Sequence, residues 1–266
     1  MATLALLGGG RMGEALLGGL IDAGWDPEHL AVAEVDADRR RVLEATFPGV
    51  RVAPSPAWAV SDAEVVVLAV KPGVVAEALG QCLPSLGEET LLISIAAGVR
   101  LETLEAAAPG RPVVRAMPNT PALVRRAATA IAGGTHATDA HLAEAERILG
   151  AVGIVVRVPE TQLDAVTALS GSGPAYVFLV AEALIDAGVL AGLPREVADR
   201  LTRETLLGAA TLLAEGDAPE ALRAAVTSPG GTTAAGLHVL ESRGTRAAFL
   251  DAVRAAADRS RELGEQ

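Results

Sequence analysis

The sequence predicts two architectures in one chain: an open, doubly wound, mostly parallel α/β sheet over residues 1–160, then an all-α helical bundle over residues 161–266. Three observations predict them. Short, near-continuous runs of small and β-branched apolar residues alternate with helical patterns up to about residue 158, as in a parallel sheet covered on both faces. From Asp164 onward only helix-length segments punctuated by Gly and Pro follow. Half of the 266 residues are hydrophobic and 21% are charged, which supports a large core and is too apolar for a disordered chain.

In chain order the expected strands are "TLALLG" (3–8), "LAVAEV" (30–35), "VRVA" (50–53), "EVVVLAV" (64–70), "TLLISIA" (90–96), "RPVVRAM" (111–117), "ATAIAG" (128–133) and "GIVVRV" (153–158). Each is short, apolar and bounded by turn residues. The expected helices of the second half are 161–170, 174–190, 194–214, 218–226, 231–242 and 244–262. No repeat and no low-complexity linker separates the halves, so the join near residue 160 is tight.

The net charge of −11 argues against nucleic acid or an anionic membrane as a partner, because both require a basic face. An anionic ligand must therefore be held locally. Twenty-one arginines stand against one lysine, Lys71, and the single cysteine, Cys82, reads as a small core residue. No residue pattern suggests a metal. The opening "MATLALLGGG" lacks a basic leader, and "YVFLVAEALIDAGVLAGL" is interrupted by Glu182 and Asp186 and reads as a buried or partner-facing helix; a cytoplasmic protein is expected.

The first candidate site follows the first strand. In "TLALLGGGRMGEALLGGL", Gly8, Gly10 and Gly13 have the G-x-G-x-x-G spacing of a dinucleotide-binding (Rossmann) loop. Gly8 permits the tight turn, Gly10 lets a pyrophosphate approach the backbone, and Gly13 lets helix and strand pack closely. The helix start at Arg11 and Met12 supplies N–H groups and a partial positive charge. Glu34, 21 positions beyond Gly13, can accept from the adenosine ribose hydroxyls and would repel a 2′-phosphate, favouring NADH over NADPH. Against this, Arg39, Arg40 and Arg41 one turn on offer guanidinium groups to such a phosphate; their plainer reading is a solvated helix face. The strand ends "AVKP" (Ala69, Val70, Lys71, Pro72), "AA" (Ala96, Ala97) and Asn119 should lie along the same crevice, where open α/β sheets bind ligands.

The second candidate site is "VTSPGGTT", residues 226–233. The residues alone leave two readings open. Successive amides after "SPGG" can converge on an anion, or the hydroxyls simply cap a helix. "GGGRMGEALLGGL", "LAVKP", "SIAAGV", "RAMPNTPALV", "ALSGSGPAYVF" and "LRAAVTSPGGTTAAGLHVLE" occur in the order of the motifs of the pyrroline-5-carboxylate reductases, and nearly the whole chain resembles that family.

The resemblance implies an N-terminal Rossmann domain and a C-terminal helical domain that interlocks with a second subunit, the dimers often assembling into decamers. It implies hydride transfer from NADPH or NADH to the C=N carbon of Δ1-pyrroline-5-carboxylate, giving L-proline. It further implies a carboxylate cradle at Ser228, Gly230, Gly231 and Thr232, and a catalytic hydroxyl at Thr233 bonded to the ring nitrogen. Ser172 and Gly173 in "SGSGPAYVF", next to Pro174 and the single tyrosine, Tyr176, make good helix-start chemistry and, given the resemblance, let cofactor or substrate approach the backbone. Thr233 positions the imine rather than driving proton transfer. His29, His136, His141 and His238 are scattered, and Glu215 reads as a solvent-facing carboxylate.

Three departures from the family pattern stand out: Pro56 where many relatives carry asparagine, "NTPALVRRAAT" where a glycine-rich stretch is usual, and Val35 where NADP-using relatives often have arginine or a small polar residue. Two other readings compete. A β-hydroxyacid dehydrogenase shares the architecture but resembles its class in using a lysine from the helical domain, and this chain has none after Lys71. A non-catalytic NAD-binding regulator would be expected to lose the hydroxyls of "TSPGGTT", which are all present.

Overall fold

The computed structural model describes residues 3–264; Met1, Ala2, Glu265 and Gln266, the outer ends of the two expected domains, lie outside the described residues. All eight expected strands form: β1 (Leu4–Leu7), β2 (Leu30–Ala33), β3 (Arg51–Ala53), β4 (Val65–Leu68), β5 (Leu91–Ser94), β6 (Val113–Met117), β7 (Ala127–Gly133) and β8 (Gly153–Arg157). They make one sheet in the order β3-β2-β1-β4-β5-β6-β7-β8. Every pair is parallel except β6 with β7, which a short connection turns antiparallel.

Alternation along the central strand divides the core. Leu4 and Leu6 of β1 join one apolar layer with Leu17, Val32 and Ile148, while Ala5 and Leu7 join the other with Leu68, Leu79 and Leu104. The helices covering these faces are α1 (Arg11–Asp22), α2 (Ala37–Thr46), α3 (Pro56–Ala59), α4 (Val75–Cys82), α5 (Leu101–Ala107) and α6 (Asp139–Leu149). Each fully buried leucine contributes about 1.5–3 kcal/mol relative to exposure. Cys82 is part of this core, fully buried, and burial pushes its thiol pKa up to about 11.

Beyond β8 come α7 (Leu163–Val166), α8 (Gly173–Leu190), α9 (Arg195–Ala214), α10 (Pro219–Ala225), α11 (Thr232–Ser242) and α12 (Thr245–Gly264). The helix expected at 161–170 is replaced by a 3₁₀ turn (Glu160–Gln162), the single turn of α7 and a π-helical turn (Thr167–Gly171). Thr167 and Ser170 donate their hydroxyls to the carbonyls of Leu163 and Val166, at 2.8 and 3.0 Å, and such back-bonding distorts a helix.

The chain forms two compact units, one made of the residues up to Ser172 together with those from Ala256 on, the other of Gly173–Ala255. Within the first unit Ser260 Oγ of α12 donates to Asp164 Oδ1 of α7 at 2.6 Å. The second unit leaves much apolar surface uncovered: Phe178, Leu179, Leu190, Leu207 and Leu250 are all more than 60% exposed. The helical run Glu160–Leu190 is long and apolar enough to cross a membrane by length and composition, the one such run among the described residues. The apolar stretch expected to be buried or partner-facing is therefore largely exposed, with Ile185 the buried residue of α8.

Candidate active site

The glycine loop between β1 and α1 has the geometry its spacing requires. Gly8 adopts φ +105°, and a side chain there would place Cβ 2.6 Å from the Ala69 carbonyl oxygen. A Cβ on Gly13 would collide with the Gly8 carbonyl, so helix and strand touch through bare backbone. Gly10 faces open space, and no side chain caps the start of α1 behind it. An open glycine before an uncapped helix N-terminus fits an anionic pyrophosphate approaching Gly10, Arg11, Met12 and Gly13.

Glu34 follows β2 and turns its carboxylate to this loop, Oε2 accepting from the Gly9 amide at 2.8 Å and Oε1 from the Asp36 amide at 2.9 Å. Asp36 caps α2 by accepting from the amides of Arg39 and Asp38, which hold its carboxyl below the usual carboxylate range. Two carboxylates thus stand where the second strand meets the glycine loop. Reading Arg39 to Arg41 as one solvated face needs correction. Arg39 donates from Nε to the Gly9 carbonyl at 2.5 Å and from Nη2 to Glu14. Arg40 Nη1 donates to the carbonyls of Glu34 and Val35, both at 2.8 Å. Arg41 alone matches the expectation, well exposed beside Asp38. Gly9 had no expected role, yet a Cβ there would collide with Leu43 Cδ1; three consecutive glycines were the available signal.

The strand ends line up beside this loop. Ala69 donates its amide to Leu7 O at 2.8 Å, Val70 is half-buried, and Lys71 is exposed just before the 3₁₀ turn that begins at Pro72. Ala96 is buried and Ala97 exposed. A cavity of about 790 Å³ opens here, and Pro72, Ala97, Thr167, Ser172 and Arg259 are among its lining residues. It brings together the ends of β4 and β5, the π-helical turn and the end of α12. Gly8, Gly10, Gly13, Glu34 and Asn119 do not line it. Asn119 is buried, its side chain donating to Ser170 O at 3.0 Å and accepting from the Ala128 amide at 2.9 Å, and its carbonyl accepting from the Ala122 amide at 3.1 Å. Gly173 begins α8.

Two of the three departures have local explanations. Pro56 is the first residue of α3 behind an N-cap at Ser55, a position suited to its fixed φ and missing N–H. Arg125 occupies the left-handed region at φ 58° and is held by side-chain bonds to Asp22 and the Ala15 carbonyl.

The other expected site lies in the second unit. Thr227 ends the preceding helix by donating its hydroxyl to the Arg223 carbonyl at 2.6 Å. Gly230 takes φ +69°, and Gly231 is the N-cap of α11, its amide bonded to Ser228 O at 3.0 Å. A Cβ at Gly231 would collide with Ser228 Oγ. No side chain caps α11. The alternative in which Ser228 or a threonine merely caps the helix is therefore not what forms. Ser228 and Thr232 are exposed and Thr233 is half-buried at the mouth of the turn.

Known proteins resemble this chain in sequence and in fold. Residues 160–263 match the family model for pyrroline-5-carboxylate reductase dimerisation, and residues 3–98 match one described as NADP oxidoreductase, coenzyme F420-dependent. A pyrroline-5-carboxylate reductase of Synechocystis is 48% identical over 99% of this chain and 98% of its own length. A solved pyrroline-5-carboxylate reductase from Coxiella burnetii superposes with a TM-score of 0.94 at 39% identity over 98% of both chains. The Plasmodium falciparum pyrroline carboxylate reductase with NADP bound gives 0.85 at 32% identity, covering 99% of this chain and 98% of that one. With that degree of identity over nearly its whole length, the chain belongs to the pyrroline-5-carboxylate reductase family.

Proposed function

We propose that this chain reduces Δ1-pyrroline-5-carboxylate to L-proline with NADPH or NADH, the last step of proline synthesis. The observation that carries the reading is the turn at Gly230 and Gly231. It presents an uncapped helix entrance flanked by four hydroxyls, suited to a small carboxylate, in a chain that also holds a dinucleotide loop. When bound, the nicotinamide supplies the hydride. The chain's own task is to hold the cyclic acid still and keep its ring nitrogen oriented. In this reading the amides of Gly230, Gly231 and Thr232, with Ser228 Oγ, grip the carboxylate, and Thr233 Oγ1 bonds the nitrogen. Gly8, Gly10, Arg11, Met12, Gly13 and Glu34 hold the adenosine half of the cofactor. Ala69, Val70, Lys71, Pro72, Ala96, Ala97, Asn119, Ser172 and Gly173 border the nicotinamide half.

The functional division falls near residue 160, a nucleotide domain before it and a substrate-binding and dimerisation domain after it. The partner proposed for the exposed apolar helices is a second copy of the chain, interlocked as a homodimer and able to build decamers. Nothing in the acidic composition offers a surface for nucleic acid or an anionic membrane. A cytoplasmic location suits a reaction whose substrate and cofactor are small, charged and water-soluble. Mixing the protein with pyrroline-5-carboxylate and each reduced cofactor, while following nicotinamide absorbance and proline, tests the reading. No proline with either cofactor would overturn it.

A further inference from the structure

Pro174 removes a donor from the π-helical turn that precedes it. A helical carbonyl accepts from the amide four residues on, and for Ser170 that residue is Pro174, which has no N–H. Ser170 is half-buried, and a carbonyl left unpaired there costs free energy unless another donor reaches it. The donor is Asn119, 51 residues earlier in the chain, whose Nδ2 lies 3.0 Å from Ser170 O.

Asn119 makes this bond in place of a local one. Asparagine is a favoured N-cap, and Asn119 stands at the N-cap of the 3₁₀ turn Thr120–Val124, yet its side chain does not cap that turn. Oδ1 instead accepts from the Ala128 amide at 2.9 Å, where β7 begins, which leaves the NH₂ group to donate elsewhere. One buried side chain thus ties the end of β6 to the start of β7 and to the π-helical turn. Met117 beds the same turn, since a Cβ on Gly171 would stand 2.7 Å from Met117 Cε. The Ser172 amide closes the turn on Thr167 O at 2.8 Å.

Thr167 and Ser172, the two ends of this bond, line the cavity of about 790 Å³, whereas Asn119 does not. We infer that Asn119 is a positioning residue for the reduction: it sets the π-helical turn, and with it Ser172, by giving Ser170 the donor that Pro174 withholds. Its place at the nicotinamide border is therefore indirect. The inference rests on the proposed reaction and on Ser172 bordering the nicotinamide half. A displaced turn would loosen that half, and a misplacement of about 1 Å between reacting groups can cost on the order of 100-fold in rate. The adenosine half, held at the glycine loop, would not feel it.

A double-mutant cycle of Asn119→Ala and Pro174→Ala tests it. Pro174→Ala gives Ser170 O an amide of its own and repairs nothing at Ala128. In hydrogen exchange on the cofactor-free protein, Asn119→Ala should speed the Ser172 amide about tenfold where position 174 is proline, and leave it nearly unchanged where it is alanine. The amides of α1 should hold in all four proteins. Turnover should fall roughly 10- to 100-fold in the proline background and less than about threefold in the alanine background. The dissociation constant of ADP-ribose, which carries no nicotinamide, should stay within about twofold throughout. Equal losses in both backgrounds would show that Asn119 acts through Ala128 or the fold at large, and would overturn the inference. Exchange that follows the cycle with turnover unchanged would overturn it too. If Asn119→Ala alone does not fold, the double variant decides: it should fold and match Pro174→Ala in exchange and turnover, and failure to do so counts against the inference. No proline from the unaltered protein would sink the proposed reaction, and the positioning role with it, while the exchange cycle would still show whether Asn119 holds the turn.

Discussion

Glu160 and Arg115 form a partly buried ion pair at the point where the chain leaves the sheet, Arg115 Nη1 lying 2.8 Å from Glu160 Oε1. The same oxygen accepts the Leu101 amide at 2.7 Å, so one carboxylate satisfies a buried guanidinium and the first turn of α5. The Arg115 side chain is 8% exposed and the Glu160 side chain 31%. Removing the carboxylate strands a buried cation, which costs about 3–5 kcal/mol when burial is complete. With Glu160 partly in solvent, Glu160→Ala should cost about 2–3 kcal/mol in urea unfolding. The double variant Arg115→Met, Glu160→Leu should recover most of that loss, since it leaves no unpaired charge.

Arg125 poses a separable question about backbone and side chain. Its left-handed conformation costs roughly 1 kcal/mol for a residue with a Cβ, while its guanidinium bonds Asp22 Oδ2 at 2.8 Å and Ala15 O at 2.8 Å. Arg125→Ala loses the bonds and keeps the strain, whereas Arg125→Gly loses both. The glycine variant should therefore unfold at higher denaturant than the alanine variant, by about 1 kcal/mol. Equal stabilities would show that the strain at this position is negligible.

The strands were legible because each is an unbroken apolar run, and the glycine loop because its spacing leaves few alternatives. What could not be read were relationships made by side chains across sequence distance. Arg39 looks like a solvated residue in "ADRRRV", and only the fold brings Gly9 and Glu14 within its reach. The π-helical turn at Thr167–Gly171 was likewise hidden, because its cause is local hydroxyl bonding inside a sequence with ordinary helical periodicity. The uncapped start of α11 depends on where Ser228 points, and composition permits either answer.

Cofactor choice should follow Glu34. Its carboxylate is held against the glycine loop by the Gly9 amide, with Asp36 two residues on, so a 2′-phosphate at the adenosine ribose would meet two negative charges. NADH should bind more tightly than NADPH, by about tenfold, a difference of roughly 1.4 kcal/mol. Glu34→Ser should narrow or reverse the ratio. Fluorescence titration of each cofactor measures this without turnover, and tighter NADPH binding by the unaltered protein would refute the assignment.

Cys82 should be chemically silent in the folded protein. Burial raises its pKa from 9.0 to about 11, so the thiol is neutral at physiological pH. A raised pKa stabilises the fold fully below the unfolded value, and that contribution is lost as pH rises toward the folded one. Thiol labelling at pH 8 should therefore proceed only as fast as unfolding, and native stability should decline between about pH 9 and 11. Rapid labelling under native conditions would show that the core around α4 opens locally.

Thr233 separates substrate handling from cofactor binding. It sits one residue inside α11, past the Gly230–Gly231 turn, in a different compact unit from the glycine loop of β1. If its hydroxyl orients the ring nitrogen, Thr233→Ala removes one bond to a charged or developing-charge group, worth about 1.5–3 kcal/mol. Turnover should then fall roughly 10- to 150-fold while the dissociation constant for NADH or NADPH changes less than about twofold. Thr233→Ser keeps the oxygen and should restore most of the rate. Gly231→Ala, whose Cβ would collide with Ser228 Oγ, should instead raise KM by deforming the carboxylate cradle. Loss of cofactor affinity in Thr233→Ala with turnover intact would place the hydroxyl on the nucleotide side and overturn the substrate assignment.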